Sequence, residues 1–376
     1  MSWDTIQLGE FLTLKRGYDL PSSQREDGNV PVVSSSGITG YHNAAKVKGP
    51  GVVTGRYGTL GEVFFLREDF WPLNTALYVQ DFKGNDPRFS AYFLKTVLNG
   101  TSSDKAAVPG VNRNDLHARK VTVTQDPIQQ KRIASILSAY DDLIENNRRR
   151  IALLEQAARL LYREWFVHLR FPGHEHVAIK DGVPDGWERG TITDIGLVVT
   201  GKTPSKKKDS YYGDDVPFIK TPDMHGNTLV IKTEESLSNE GANTQSNKTL
   251  SPRSILVSCI GTVGVVSFNC SEAQTNQQIN AIVPADESLR YWTFFMARDL
   301  KPLLEGMGGG ATMANVNKSK FSSIKVTIPS SLILDQFNSH VLRSIDQIEV
   351  LAKANLRLAQ ARDLLLPRLM NGEVTV

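Results

Sequence analysis

The sequence predicts an α+β protein: two similar globular modules joined by two long antiparallel coiled-coil helices, with pseudo-two-fold symmetry. Two observations carry this. Landmarks of the first half recur in order in the second, and each half ends in a long stretch of heptad spacing. Trp3, Gly17 and Pro21 are echoed by Trp187, Gly201 and Pro204, and Gly58-Thr59-Leu60-Gly61 by Gly261-Thr262-Val263-Gly264. From Val111 onward the offset holds at 205 residues: Val111-Asn112 recurs as Val316-Asn317, Lys120-Val121-Thr122-Val123 as Lys325-Val326-Thr327-Ile328, and Asp141 as Asp346. A unit this long, repeated once, is not a solenoid, whose period is about 20–50 residues. A protein of this symmetry suits a two-fold related ligand, and duplex DNA is the prime candidate.

The first module is expected over residues 1–126. Val30-Pro31-Val32-Val33, Gly51-Val52-Val53-Thr54 and Leu77-Tyr78-Val79 read as strands between Gly, Asn and Ser turns, and Phe89 to Leu98 has helical spacing. A first helical region follows over 127–170. Asp126-Pro127 suits a helix start. Apolar residues then alternate steps of four and three, with Ile133, Leu137, Ile144, Ile151, Leu154 and Leu161 as expected packing positions and Asn147 interrupting the seam. Roughly 40 residues at about 1.5 Å each make a rod of about 60 Å. A linker is expected over 171–186 and the second module over 187–330. There Ile255 to Ser258, Val263 to Val266 and Ile279 to Val283 read as strands, and Tyr291 to Leu304 as a helix. The second helical region spans 331–376. It packs through Val341, Ile348, Leu351, Leu358 and Leu365, and Pro367 is expected to end the helix. Two rods of this length hide their stripes most simply against each other. Because the second module begins where the first rod ends, the pair is antiparallel, and Asn147 fixes register.

Composition narrows the class. The chain has 376 residues, 40% of them hydrophobic, enough for a core in each half. No run approaches the roughly 18 apolar residues of a membrane span. The start, Met1-Ser2-Trp3-Asp4, lacks the charged and apolar regions of a secretion signal. Two cysteines, Cys259 and Cys270, fit a reducing compartment, so the expected location is cytoplasmic. A net charge of +3 neither demands nor excludes nucleic acid.

The catalytic motifs are weak. Gly196-Leu-Val-Val-Thr-Gly201-Lys202-Thr203 matches the phosphate-loop pattern in letters, but its interior is β-branched and Pro204 follows where a helix should open. It reads as a chance match in a strand and turn. His174-Glu175-His176 lies in a Pro/Gly-flanked linker with no third ligand in view. Gly306-Met-Gly308-Gly309-Gly310 lacks the flanking strand and helix of a dinucleotide site. No Glu-x-Lys, Asn-Pro-Pro-aromatic or Gly-x-Ser-x-Gly motif occurs. The chain is expected to be no enzyme and to hold no metal or cofactor of its own.

Polar and basic loops remain. In module one they offer Lys15, Arg16, Tyr18, Lys46, Lys48, Arg56, Tyr57, Asn74 and Arg113. In module two they offer Lys202, Lys206, Lys207, Lys208, Lys220, Asn276, Gln277, Gln278, Asn317, Lys318 and Lys320. Arg, Asn and Gln can read base edges in pairs of hydrogen bonds, whereas Lys mostly holds phosphates. These are the candidate DNA-binding residues.

In this order the residues resemble the DNA-specificity subunit of type I restriction–modification systems. The resemblance rests on Trp187 to Pro204, on Gly261 to Gln278, on Val111-Asn112 leading through Pro127 to Ile133, and on Leu364-Leu-Leu-Pro-Arg-Leu-Met-Asn-Gly-Glu373. Asn74-Thr75 stands where the second module has Asn276-Gln277, and Asp335-Gln336 where the family usually has Glu-Gln. The resemblance implies two target-recognition domains, each reading one half of a split DNA target. It implies two methyltransferase (modification) subunits docked on this chain, bringing S-adenosylmethionine for adenine methylation. It also implies restriction subunits that bring ATP and Mg²⁺, and no membrane partner. Two other readings stay open: a stand-alone methyltransferase or ATPase, and a coiled-coil adaptor with no role on DNA.

Overall fold

The computed structural model describes residues 3–56, 61–99, 112–308 and 315–376. Tyr57, Gly58-Thr59-Leu60, Val111 and Gly309-Gly310 lie outside the described residues. The chain divides into two compact units: Met1–Glu145 with Leu356–Val376, and Asn146–Asn355. Each unit holds one globular part and a segment of each long helix.

Both units carry the same sheets. In unit 1 a four-stranded sheet runs in the order Thr13–Arg16, Ala76–Asp81, Gly51–Gly55, Val63–Leu66. A three-stranded sheet (Gly37–His42, Val30–Ser34, Trp71–Pro72) and the antiparallel pair Trp3–Gln7 with Lys120–Thr124 complete it. Unit 2 repeats this order with one strand more: Gly196–Thr200, Ile279–Pro284, Ile255–Ser258, Val266–Asn269, Leu229–Val230. Its three-stranded sheet is Glu235–Leu237, Tyr212–Ile219, Gln274–Thr275, and Glu188–Thr191 pairs with Lys325–Ile328. The short parallel pairings match as well: Val32–Trp71 and Val33–Pro72 in unit 1, Phe218–Gln274 and Ile219–Thr275 in unit 2.

Local chemistry sets the helix starts. Asp86 caps the helix Pro87–Leu98 by accepting from the Arg88 and Phe89 amides. Asp126 accepts from the Ile128 amide at 2.9 Å and opens the first long helix, Pro127–Tyr162, 36 residues or about 54 Å. A π-helical turn, Arg163–Val167, extends it. The linker is packed rather than loose. Phe171 is buried with its ring 5.3 Å from that of Trp187, and Ile179–Lys180 forms a small hairpin with Val183–Pro184.

The long helices help build both cores. In unit 1 Phe11, Phe89, Phe93 and Leu94 pack with Ile133 and Leu137 of the first helix and with Leu369 and Met370 of the second. In unit 2 Phe268, Trp292, Phe294 and Phe295 pack with Tyr162 and Trp165 and with Phe337, Val341, Ile345 and Ile348. The helices run antiparallel: within unit 2, Asn147 donates to Asn355 at 2.9 Å, while the Tyr162 and Trp165 rings lie 6.4 and 6.0 Å from that of Phe337. Within unit 1, Asp141 pairs with Arg362.

The seam is uneven. Ile133, Leu137, Ile144, Val341, Ile348 and Leu351 are buried, while Ile151, Leu154, Leu161, Leu358 and Leu365 are half-buried. Ile345, absent from the expected list, is 1% exposed.

Three expectations need correction. The second long helix runs Ser331–Met370, through Pro367. Proline removes one N–H, but only one turn remains, and burying Leu369 and Met370 favours completing it. The helix expected from Tyr291 to Leu304 is two, Arg290–Asp299 and Lys301–Met307, with Pro302 in the first turn of the second. The strand expected at Val263 begins at Val266, because Gly261 and Gly264 adopt φ of +78° and +81° and make a turn. No helix among the described residues is long and apolar enough to cross a membrane.

Candidate nucleic-acid interface

The landmark loops meet at one place in each unit, held by the same backbone hydrogen bonds. In unit 2 the Gly201 amide donates to Ile279 at 3.1 Å and the Lys202 amide to Thr275 at 2.9 Å. In unit 1 the Gly17 amide donates to Ala76 at 3.1 Å and the Tyr18 amide to Pro72 at 2.8 Å. Three more bonds repeat. Asn276 to Ile219, Ile279 to Asn276 and Cys259 to Gln278 correspond to Leu73 to Val33, Ala76 to Leu73 and Arg56 to Thr75. A Cβ on Gly17 would lie 2.2 Å from the Leu73 carbonyl, and one on Gly201 2.1 Å from that of Asn276. The two strands therefore approach too closely for any side chain, which explains why a glycine marks this spot in both halves.

This register corrects the sequence alignment. Leu73 matches Asn276, Asn74 matches Gln277 and Thr75 matches Gln278, one step from the expected pairing of Asn74-Thr75 with Asn276-Gln277. Side chains here have diverged, so only backbone pairing reveals the match.

In unit 1 the site is aromatic and cationic. Lys15 and Lys46 place their ammonium groups 5.7 and 5.4 Å from the centre of the Tyr18 ring, and Lys46 is also 5.6 Å from Trp71. The Tyr18 and Tyr78 hydroxyls share a hydrogen bond of 2.9 Å. That bond and the two lysines pull the Tyr18 phenol below its ordinary range, while burial and the same bond push Tyr78 up. Arg16 donates to the Asn74 carbonyl at 3.3 Å, and Asn74 is tied to Asp19. The Arg56 amide anchors to Thr75 beside them. Lys48 is exposed nearby in sequence. Arg113 is exposed in the first turn of the helix Arg113–Ala118, its guanidinium against Asn114. Trp71 and Tyr78 were missed from sequence, since each reads as an ordinary strand residue.

In unit 2 amides and carboxylates dominate. Thr203 donates to the exposed Gln277 at 2.6 Å, and buried Asn276 exchanges hydrogen bonds with Gln278. Beneath them buried Gln245 donates to the Lys202 carbonyl at 2.7 Å and to Gln274 at 2.8 Å, a relay with no signal in the local sequence pattern. Lys202 and Lys207 are exposed, and Lys208 lies on Tyr211, 3.0 Å from its hydroxyl. Lys206 sits 3.8 Å from Glu235. Lys220 is half-buried and bound to Glu235 at 2.8 Å, so it serves as the partner of that carboxylate rather than as a free surface cation. The Lys220 hydrogen bond holds Glu235 below the usual carboxylate range. Val316 donates to Cys259 at 2.9 Å and so sets Asn317, the cap of the helix Lys318–Ser322, beside the Gly261 turn. Lys318 and Lys320 are exposed there.

The motif expected to be a chance phosphate loop is the strand Gly196–Thr200 followed by this turn. His174–His176 forms a single 3₁₀ turn. Among the described residues no group of three or more His, Cys, Asp or Glu side chains could hold a metal ion. Cys259 is a buried free thiol, pushed up to about 11 by burial.

Two copies of one α+β module, each ending in a long helix and presenting a matched polar loop cluster, define a duplicated recognition protein. The chain belongs to the family described as type I restriction modification DNA specificity domain, whose family model matches residues 1–156 and 184–359. It is 32% identical to the HindI specificity subunit of a type I restriction enzyme from Haemophilus influenzae, over 75% of this chain and 76% of that protein. It is 25% identical to the MjaIX specificity subunit from Methanocaldococcus jannaschii, over 66% of this chain and 60% of that one. The crystal structure of a type I S subunit from M. genitalium has the same fold, with a TM-score of 0.64 at 14% identity, covering 98% of this chain and 96% of that one.

Proposed function

We propose that this chain reads a bipartite, asymmetric duplex DNA target, one half-site at each loop cluster. Catalysis on that DNA belongs to partner subunits. One observation supports this above the rest: two loop clusters with matching backbone hydrogen bonds carry different side chains. Such a pair suits two half-sites of different sequence. Lys15, Lys46 and Arg56 of unit 1, and Lys202, Lys207, Lys318 and Lys320 of unit 2, are the proposed phosphate and base contacts. Gln277 and Gln278 are the proposed amide readers. The module boundaries follow the sequence reading: 1–126 and 187–330 for recognition, 127–170 and 331–376 for the helices, and 171–186 for the linker. The helices carry the modification subunits, two of them, with S-adenosylmethionine. Restriction subunits with ATP and Mg²⁺ complete a cytoplasmic assembly.

The test is selection from a pool of duplexes with 40 randomised base pairs, using the full chain reconstituted with its modification subunits. The expected result is a split motif of two unlike halves at a fixed gap. A single contiguous motif, or no enrichment, would overturn the reading. A stand-alone ATPase would turn over ATP as the isolated chain and lose activity in Lys202→Ala; the expected result is no turnover in either.

A further inference from the structure

Beyond the choice of bases, and resting on the reading just proposed, we infer that Arg253 is a positioning residue. It fixes the angle of the second recognition sheet on the long helix Ser331–Met370 and thereby sets the gap between half-sites that the complex accepts. Arg253 sits in the turn before the strand Ile255–Ser258, in a left-handed conformation with φ of +60°. Its amide donates to Asn269 at 2.8 Å and ties it to the five-stranded sheet. Its guanidinium leaves the sheet and spreads over three partners: the Tyr291 hydroxyl at 2.7 Å, Asp346 at 2.5 Å and Glu349 at 2.8 Å. Glu349 also accepts from Lys353 at 2.6 Å and from the Cys270 thiol at 3.2 Å. Arg253 and Glu349 side chains are each only 18% exposed. A residue held in a conformation its side chain disfavours marks a place where local ease is given up for geometry.

Unit 1 has its own version of the joint. Asp142 accepts from Arg67 at 2.5 Å and from Arg88 at 2.8 Å, and its neighbour Asp141 accepts from Tyr92 and Arg362. Asp141 and Asp346 are the positions matched at the 205-residue offset. The aspartate has thus stayed at its place on the helix in both halves, but in unit 1 it meets Arg362 of the other long helix, and the module arginines Arg67 and Arg88 reach its neighbour Asp142 instead. Half-buried ion pairs add little stability over apolar packing of the same volume. The planar guanidinium fork instead fixes direction, which a lysine or an apolar contact does not. A joint built of such forks on both units suits a module whose tilt must not drift.

The experiment takes the target found by selection and varies its gap by one base pair in each direction. Affinities are measured for the full chain reconstituted with modification subunits, as wild type, Arg253→Met and Arg253→Lys. A duplex with only the second half-site intact is the control. The expected result for Arg253→Met is at least a tenfold fall in discrimination between the correct and altered gaps, with control affinity within twofold of wild type. Full discrimination by Arg253→Met overturns the inference. If Arg253→Met instead loses the control duplex in proportion, Arg253→Lys decides: lost gap discrimination supports the inference and wild-type discrimination overturns it. A wild-type complex indifferent to the gap overturns the bipartite reading itself, not the role of Arg253 alone.

Discussion

In unit 1 the residue after the close-approach glycine is Tyr18, bonded to Tyr78 and overlaid by Lys15 and Lys46. In unit 2 the same place holds Lys202, Ala281 takes the position of Tyr78, and buried Gln245 and Gln274 secure the loop from below. Trp71 and Gln274 occupy one matched position, an indole under a lysine in one unit and an amide in a buried relay in the other. The backbone has been kept and the side chains exchanged. Duplication thus supplies a scaffold in which the reading chemistry of one half changes without disturbing the other.

The largest expected effects test the shared backbone. Gly17→Ala and Gly201→Ala each drive a Cβ into a carbonyl oxygen, and each should destabilise its unit by about 3 kcal/mol, measured by denaturant unfolding. A loss at only one site would break the equivalence of the loops. The next prediction separates the chemistries. Lys15→Met with Lys46→Met should lower the slope of log affinity against log salt by about 2, one per phosphate contact. Lys220→Met in unit 2 should leave that slope unchanged and lower the melting temperature, since it strips Glu235 of its partner. Equal slope changes from both would erase the distinction. Gln277→Ala should cost about 2 kcal/mol at one position of the second half-site and relax the base choice there, read by repeating the selection.

The smallest effect concerns acid. Burial acts to raise the Glu349 carboxyl, but hydrogen bonds from Lys353, Arg253 and Cys270 hold it at about 2, against an ordinary 4.5. A depressed carboxylate stabilises the fold above its unfolded value and loses that contribution as pH falls toward its folded one. Unit 2 should therefore lose melting temperature between about pH 4.5 and pH 2, and Glu349→Gln should flatten that dependence. Asp142 is likewise held low by Arg88 and Arg67 against burial, so unit 1 should soften in the same direction.

What the sequence made legible follows from what the backbone demands. Gly17 and Gly201 could be read because no side chain fits there, and Gly261 and Gly264 because their φ is positive. The heptad positions Ile133, Leu137, Val341 and Ile348 could be read because burial imposes a period. Pairing between distant side chains could not. Lys220 looked like any loop lysine until Glu235 appeared beside it, and Arg253 meets acids more than ninety residues away. The one-step slip between Asn74 and Gln277 has the same cause, since side-chain identity there no longer records the strand register.

Unit 1 is assembled from two separated stretches, 1–145 and 356–376, whereas unit 2 is one unbroken stretch. Unit 1 therefore closes its core only when the far end of the second long helix returns to it with Leu369 and Met370. Phe11, Phe89 and Phe93 depend for their cover on residues from the opposite end of the chain, whereas the core of unit 2 is drawn from residues 146–355 alone.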